Sequence, residues 1–227
     1  MKGTGAGVID DSHRELMERH LDLVIEANRH INLTRITSRE EAQLLHIEDS
    51  LVGLPELMEA PDGRYADIGT GAGFPGMPLA IVSGRRTTLI DTRAKKMKVL
   101  DQIIKQLELE NQVATHAGRI EEMPERVKTR FAVVTARALS QLSVLMEMAS
   151  PLLMTGGQLI CYKARVSDEE LQHARELQET LGMRIERIRS TYLSDGETFR
   201  TILVCQKVGK PRIKLPRQNG FAQKRPL

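Results

Sequence analysis

A glycine-rich stretch at residues 64–78 constrains the fold of this chain more than any other feature. It reads Arg-Tyr-Ala-Asp-Ile-Gly-Thr-Gly-Ala-Gly-Phe-Pro-Gly-Met-Pro, and its short apolar start ends at Asp67. Four glycines follow within eight positions: Gly69, Gly71, Gly73 and Gly76. Glycine adopts positive φ readily and lets a ligand approach the main chain, and the start of a helix offers free N–H groups to a polar ligand. The stretch therefore predicts a strand, a glycine loop and a helix that together bind a nucleotide-like cofactor.

The spacing of these glycines narrows the choice of ligand. The first three follow the pattern G-x-G-x-G, whereas dinucleotide folds have G-x-G-x-x-G, so a pyrophosphate ligand is disfavoured. The alternative to any ligand-binding role is that the glycines form an ordinary tight turn. A second predicted strand, 87–91, ends at Asp91, about 22 residues beyond Gly69, where a ribose-binding carboxylate belongs. The order of strand, glycine loop, helix, strand and acid favours cofactor binding over a purely structural turn.

From residue 64 onward, apolar strand-like segments alternate with helical periodicity, which is typical of an α/β fold with a largely parallel sheet. The further strands are expected at 112–117, 131–135, 158–162, 184–192 and 199–207. A helix opening at Thr92 as its N-cap should cover 93–107, and another should cover 168–181. Because only the short turn 194–197 joins the last two strands, we expect the final strand to be antiparallel.

Ligands of open α/β sheets bind beyond the carboxyl ends of the strands. Several polar or glycine-rich segments of this chain lie at such ends, and we expect them to converge on one crevice. They are residues 67–73, Asp91, Ile120 with Glu121, Arg137 and Lys163. For Lys163, binding of a phosphate or a base acceptor and simple solvation are both open.

Two amphipathic helices are predicted before the glycine loop. S-x-x-E capping boxes at 12–15 and 38–41 should open them. In the second helix, His46, Asp49 and Ser50 share one face at positions i, i+3 and i+4. This face is either an internally satisfied polar surface or part of a substrate site.

Charge is unevenly distributed along the chain. Residues 207–227 contain seven Lys and Arg residues and no acid, which leaves 26 bases against 30 acids in the remainder. A basic tail of +7 on a body of −4 suggests a phosphate-rich partner such as RNA, although a solvated tail is the alternative. A second basic cluster, at 93–98, allows the same two interpretations.

Composition indicates a globular protein without a membrane segment. The chain has 227 residues, of which 41% are hydrophobic, but it has no long apolar run and no signal-peptide pattern. We therefore expect a cytoplasmic protein. Its two cysteines, Cys161 and Cys205, lie in apolar strand-like segments and are expected to be buried reduced thiols.

Several segments in combination resemble the glucose-inhibited division protein B family, the bacterial methyltransferases that modify a guanine N7 in 16S ribosomal RNA. These are Asn-Leu-Thr at 32–34, His46 with Asp49 and Ser50, the glycine stretch at 67–80, and Arg137 with Ala138. Leu45 and Ala164 stand where the family often has Arg and Gly. The resemblance implies a Rossmann-like class I methyltransferase fold, with a seven-stranded, mainly parallel sheet, an antiparallel last strand and added N-terminal helices. It also implies S-adenosylmethionine as the cofactor.

The residue patterns and the resemblance together lead us to expect a division of the chain, and the resemblance implies a set of site residues. The division is a disordered 1–7, a helical extension over 8–60, a methyltransferase domain over 61–207 and a basic tail over 208–227. The implied cofactor-binding residues are Asp67, Gly69, Gly71, Gly73, Phe74, Asp91, Ile120, Glu121 and Arg137. Arg137 and Lys163 would also position phosphate or the acceptor edge of guanine during catalysis.

Guanine N7 carries a lone pair and no proton, so the implied transfer needs no general base. The implied partner is 16S ribosomal RNA in the small subunit, bound by a monomer that needs no metal. A methyltransferase acting on a small molecule or a protein, and a non-enzymatic RNA-binding assembly factor, are the alternatives, because a fold does not by itself determine function.

Overall fold

A seven-stranded sheet forms the centre of the protein in a computed structural model that describes residues 9–123 and 130–227. The strands are β1 Tyr65–Ile68, β2 Thr87–Asp91, β3 Val113–Ala117, β4 Phe131–Arg137, β5 Leu153–Lys163, β6 Met183–Tyr192 and β7 Phe199–Lys207. Their order is β3-β2-β1-β4-β5-β7-β6. Strand β7 runs antiparallel to both neighbours, and the β3-to-β5 part of the sheet is parallel. This confirms the predicted mainly parallel sheet with an antiparallel last strand.

Helices flank the sheet and precede it. They are α1 Asp11–Asn28, α2 over 39–51, α3 Leu54–Glu59, α4 Gly76–Ser83, α5 Ala94–Gln106, α6 Leu142–Ala149, α7 Asp168–Glu176, α8 Gln178–Leu181 and α9 Phe221–Lys224. Helix α2 contains a π-helical turn over Gln43–Glu48, and a 3₁₀ turn covers Ile120–Glu122. Among the described residues, no helix combines the length and apolar character needed to cross a bilayer. The predicted disordered segment 1–7 lies outside the described residues.

The sheet separates two hydrophobic clusters. One contains Met77 and Leu100 and packs α1, α4 and α5 on one face, and the other contains Phe131 and Met146 and packs α6 on the opposite face. All four residues of β1 are buried, including Asp67, as expected for a central strand of a parallel sheet that is covered on both faces. A buried central strand ending at a glycine loop gives the loop a rigid base.

Some predicted helix boundaries were wrong. The N-cap of α1 is Asp10, not Ser12, because the Asp10 carboxylate accepts the His13 N–H at 2.9 Å and satisfies the first turn. Thr92 does not cap α5: Asp91 instead accepts the Arg93 N–H at 2.9 Å. The helix predicted over 168–181 is divided at Leu177, and α3 was not predicted.

The C-terminal segment 208–227 packs against the body of the protein. Within it, Arg217 makes two hydrogen bonds to Glu147, at 2.7 and 2.6 Å, and Ala222 is buried. Just before it, Lys207 is buried and donates to Ser150 Oγ at 2.5 Å. At least two of the seven cations counted in the basic tail are therefore engaged within the protein.

Both cysteines are free and buried, as predicted. Burial raises the pKa of the Cys161 thiol to about 12. Cys205 lies on the neighbouring strand, where its Cα pairs with that of Leu159. Burial also raises the pKa of the Cys205 thiol, so both thiols are protonated, on the adjacent strands β5 and β7.

Candidate active site

A cavity of about 330 Å³ lies beyond the carboxyl ends of β1, β2 and β3. Five of the residues predicted to bind a cofactor line it: Gly69, Gly71, Asp91, Ile120 and Glu121. Its other lining residues are Thr92, Arg93, Lys96, Gly118, Arg119, Leu139, Met148 and Gln223. The predicted convergence of strand ends on one crevice therefore holds for β1, β2 and β3, and Leu139, just beyond β4, also lines the cavity, whereas Arg137 and Lys163 do not.

The glycine loop forms one wall of this cavity. Gly69 and Gly71 have φ values of +72° and +60°, in the region that favours glycine. A Cβ atom at Gly69 would also lie 2.9 Å from the Leu139 side chain. The loop is tied to β2 because the N–H groups of Gly69 and Thr70 both donate to the carbonyl of Ile90, at 2.9 and 3.1 Å. The main chain is thereby held against the cavity with no side chain in between.

Asp91 connects the glycine loop to the start of α5. One carboxylate oxygen accepts the Gly71 N–H at 3.1 Å and the other accepts the Arg93 N–H at 2.9 Å. A carboxylate has about four acceptor sites, so two remain for a ligand. Its position at the end of β2 suits the hydroxyl pair of a ribose.

Asp67 lies beneath the loop and does not line the cavity. Its side chain is fully buried and accepts hydrogen bonds from the Thr135 hydroxyl at 2.6 Å and the Gly76 N–H at 3.1 Å. Burial raises the pKa of this carboxyl to about 6. A Cβ at Gly76 would meet the Leu89 side chain at 2.3 Å and Asp67 itself at 2.8 Å. Asp67 thus holds the end of the loop, and the Gly at position 76 leaves room for it.

Phe74 points away from the cavity, toward the N-terminal helices. Its ring stacks on His46, with centroids 4.3 Å apart and planes 3° apart, and lies 4.7 Å from the ring of His20. Gly73 is also close to this group, because a Cβ there would lie 3.0 Å from His20 Nε2. Burial lowers the pKa of His20 to about 3 and that of His46 to about 4, with Arg137 contributing to the second shift. Two neutral imidazoles therefore enclose the loop's phenyl ring.

Arg137 also faces the N-terminal helices rather than the cavity. Its guanidinium donates to Asp49 at 2.9 Å and to the Leu45 carbonyl at 3.0 Å. Arg200, on β7, donates to the same carboxylate at 2.7 Å. The Asp49 side chain is 4% exposed, and those of Arg137 and Arg200 are 15% and 18% exposed. One buried carboxylate therefore joins α2 to two strands.

The polar face of α2 is engaged in internal contacts. His46 Nε2 lies 2.9 Å from the Thr34 hydroxyl, and the Ser50 hydroxyl donates to the His46 carbonyl. The Tyr162 hydroxyl donates to the Ser50 carbonyl at 2.7 Å. These contacts fit the interpretation of this face as an internally bonded surface that fixes α2 on the sheet.

Lys163 is held by groups at the start of α6 and on α7. Its Nζ donates to the Ser140 carbonyl at 2.6 Å and to Glu170 at 2.7 Å. Glu170 also accepts the Leu142 N–H at 2.7 Å. The Lys163 side chain is 13% exposed, so its ammonium is fixed close to the strand end.

Eight of the thirteen residues that line the cavity had not been predicted to bind the cofactor, among them Leu139, Met148 and Gln223. Leu139 follows Arg137 by two positions and could have been found as part of the same strand end. Met148 belongs to an apolar helix. Gln223 lies in the last helix, well after the final strand, which ends at Lys207. Neither of these two carries a local signal for ligand binding.

Comparison with known proteins agrees with the geometry. The family model described as rRNA small subunit methyltransferase G matches residues 13–211. Proteins named "Ribosomal RNA small subunit methyltransferase G" match at 32% identity in Lactobacillus johnsonii, covering 96% of this chain and 93% of the relative, and at 35% in Limosilactobacillus reuteri, covering 94% and 92%.

Solved structures share the fold at lower identity. An O-methyltransferase from Bacillus cereus, solved in complex with SAH, aligns with a TM-score of 0.56 at 19% identity, over 88% of this chain and 93% of that one. A ribosomal protein L11 methylase from Lactobacillus delbrueckii subsp. bulgaricus aligns with a TM-score of 0.53 at 16% identity, over 70% and 77%.

The strand order and the antiparallel β7 are those of a Rossmann-like fold, and the family match makes the protein a methyltransferase with this fold. The protein is an enzyme of this class. More narrowly, the chain belongs to the rRNA small subunit methyltransferase G family.

Proposed function

We propose that this enzyme transfers a methyl group from S-adenosylmethionine to N7 of a guanine in 16S ribosomal RNA of the small ribosomal subunit. The observation that carries the proposal is the cavity formed by Gly69, Gly71 and Asp91 in a chain of this family. We propose further that it acts as a monomer in the cytoplasm.

The cavity residues fit the cofactor. The volume of about 330 Å³ lies within the range of about 300–1,000 Å³ typical of small-molecule sites. Asp91 offers acceptor sites to the ribose hydroxyls, Ile120 offers an apolar wall to adenine, and the main chain at Gly69 and Gly71 admits close approach. When bound, the cofactor supplies an electrophilic methyl group on its sulfonium.

The chain's own contribution is positioning, because guanine N7 has an available lone pair and carries no proton. Holding two reactants in line can contribute about 7–11 kcal/mol to the barrier reduction. Asp67 is unsuited to act as a base because Thr135 and Gly76 occupy its carboxylate beneath the loop. The nearby cations are better suited to binding than to proton transfer.

Arg137 and Lys163 are proposed to orient the RNA substrate. Each lies at the carboxyl end of its strand and is fixed by an acid, Asp49 for Arg137 and Glu170 for Lys163. Charged donors held in this way suit phosphate oxygens or the O6 acceptor of guanine. Fixing them before the substrate arrives reduces the conformational entropy lost on binding.

Affinity for RNA should depend mainly on charge. Aromatic residues make up 3% of the chain and there is no Trp, so few bases can stack on side chains. The exposed cations Arg93, Lys95 and Lys98 begin α5, beside the cavity. We expect RNA affinity to fall steeply between low and moderate salt.

The deciding experiment is methyl transfer from labelled cofactor to 16S ribosomal RNA, free and assembled in the small subunit, followed by mapping of the modified base. A single labelled guanine at N7 is the expected result. Label on a protein or a small molecule, or no transfer despite saturable cofactor binding, would contradict the proposal.

The RNA side can be tested separately by point changes. A K95A/K98A variant should bind RNA more weakly and show a shallower salt dependence, with unchanged affinity for S-adenosylhomocysteine. Lys105, at the other end of α5, is the matched control, and K105A should leave RNA affinity nearly unchanged. Deleting 208–227 is a poor test of RNA binding because Gln223 lines the cofactor cavity.

A further inference from the structure

The C-terminal residues 217–225, here called the C-terminal strap, contribute one lining residue to the cofactor cavity. They lie outside the residues matched by the family model, which end at 211. Gln223 lines the cavity together with Ile120 and Glu121. A glutamine in a basic tail is ordinarily exposed to solvent. Gln223 can line the cavity because the backbone of the strap is held against the body of the protein.

Three acidic side chains of the body hold the strap in place. Glu147, on α6, accepts two hydrogen bonds from Arg217, at 2.7 and 2.6 Å. Glu121 accepts the Gly220 N–H at 2.6 Å, and Glu122 accepts the Asn219 amide at 2.9 Å. These contacts come from two elements of the body, α6 and the turn at 120–122, so the position of the strap is set by the body as well as by its own short helix.

Internal contacts of the strap complete the arrangement. Gly220 has a φ of +75°, a conformation that favours glycine, and starts the turn into α9. Ala222 is 3% exposed and belongs to the same buried cluster as Met148, a lining residue of the cavity. With Ala222 buried on one side, the neighbouring Gln223 is directed to the cavity mouth.

We propose that the C-terminal strap is part of the cofactor site and that Gln223 binds the adenosine portion of S-adenosylmethionine. The strand order β3-β2-β1 places the carboxyl end of β3 at the opposite side of Asp91 from the glycine loop. If Asp91 takes the ribose, the base lies toward Ile120 and Glu121, which is where the strap docks. A glutamine amide carries both donors and an acceptor, as the polar edge of adenine requires.

The central test compares two glutamines of the same strap region by calorimetric titration with S-adenosylhomocysteine. Q223A should raise the Kd about three- to tenfold, the effect of losing one neutral hydrogen bond. Q218A is the matched control, because Gln218 is also exposed but does not line the cavity. Its Kd should stay within about twofold of the wild type, as expected for an exposed side chain that makes no ligand contact.

Adenosine as the titrant then locates the contact. Q223A should weaken adenosine by the same factor as S-adenosylhomocysteine, because both ligands carry the base and the ribose. Equal Kd values for Q223A and Q218A, or a loss confined to S-adenosylhomocysteine, would overturn the assignment. These titrations contain no RNA, so their outcome is independent of which nucleotide is methylated.

The anchoring role is tested by hydrogen exchange of residues 217–225 with and without S-adenosylhomocysteine. Ligand should increase protection of the strap in the wild type, and unchanged protection would contradict a direct contact. R217A should raise strap exchange and raise the Kd at least as much as Q223A. The matched control is R212A, because Arg212 pairs with Glu179 at a site where both side chains are at least 70% exposed. If R217A folds poorly, Q223A still decides the proposal, since Gln223 is exposed.

Discussion

The carboxylate of Asp49 accepts a hydrogen bond from the guanidinium group of Arg137 across 2.9 Å, and this contact joins α2 to the last residue of β4. The other oxygen of Asp49 accepts from Arg200 Nε at 2.7 Å. The N-terminal helices are therefore attached to the same strand end that carries the proposed RNA-orienting arginine. A change at Asp49 should be felt in both the stability and the activity of the enzyme.

Asp49→Asn is expected to lower the free energy of unfolding by about 3–5 kcal/mol, because it removes the charge that compensates two largely buried guanidinium groups. Urea denaturation measures the effect. The exposed pair Arg184 and Glu186 provides a control, and Glu186→Gln should cost less than about 1 kcal/mol. Equal effects of the two substitutions would show that the Asp49 network contributes little.

Asp91→Ala should raise the Kd for S-adenosylmethionine at least about tenfold, since charge-assisted hydrogen bonds are worth about 1.5–3 kcal/mol. The substitution also frees the N–H groups of Gly71 and Arg93. Asp101, on α5, bonds to Thr115 on the surface and serves as the control. Cofactor affinity in Asp101→Ala should match the wild type; a comparable loss there would mean that the effect is structural.

Gly76→Ala should destabilise the protein by about 1–3 kcal/mol through overpacking and should also weaken cofactor binding, because the new methyl group would displace Leu89 and Asp67 beneath the loop. Gly84→Ala isolates the cost of backbone conformation: its φ is +65°, but beyond its two chain neighbours no described atom lies within 4 Å of a Cβ there. Thermal unfolding of Gly84→Ala should show reduced stability with unchanged cofactor affinity. An equal loss of cofactor affinity in Gly76→Ala and Gly84→Ala would show that crowding of Leu89 and Asp67 at position 76 does not explain the loss.

Acidification should destabilise the protein through His20 and His46. Their folded-state pKa values of about 3 and about 4 lie below the ordinary 6.5, so the unfolded state binds more protons as pH falls below 6.5. The stability from neutral imidazoles is complete above pH 6.5 and declines as pH falls toward those folded values. At pH 5, each histidine should account for a loss of about 2 kcal/mol.

His20→Leu tests this pH dependence in urea denaturation at pH 5 and pH 7.5. The variant should lose about 2 kcal/mol less than the wild type between the two pH values. Asp67, whose pKa is raised to about 6, acts in the opposite direction between about pH 4 and 6, but it is present in both proteins and cancels in the comparison. Identical pH dependence of the two proteins would refute the assignment to His20.

The sequence predicted much of the scaffold, because β-strands and glycine loops carry local signals. The strand predicted at 199–207 has the observed bounds, and the cavity contains Gly69, Asp91 and Glu121, as expected from strand ends. Boundaries set by competing local groups were less predictable. Asp10 and Ser12 are both good N-caps two residues apart, and the division at Leu177 has no Gly or Pro to signal it.

The direction of side chains could not be predicted from local sequence. Arg137 ends β4 and Phe74 lies in the glycine loop, yet both side chains point toward α2. Arg137 donates a hydrogen bond to Asp49 there, and the Phe74 ring stacks on His46. Gln223 lies at the cavity because acids more than 70 positions earlier in the chain, such as Glu147, hold the strap in place. These arrangements depend on contacts between distant segments, for which a single sequence contains no periodicity or motif.

The buried thiols of Cys161 and Cys205 can be used to measure how often the sheet opens. Because both side chains are inaccessible in the folded protein, a thiol reagent can react only when β5 and β7 separate or the whole protein unfolds. In the fast-closing regime, the labelling rate relative to that of an unfolded thiol gives the free energy of that opening. The cofactor cavity lies at β1 to β3, on the other side of β4 from β5 and β7. Cofactor binding should therefore slow thiol labelling only if β5 and β7 open in the same event as the cavity.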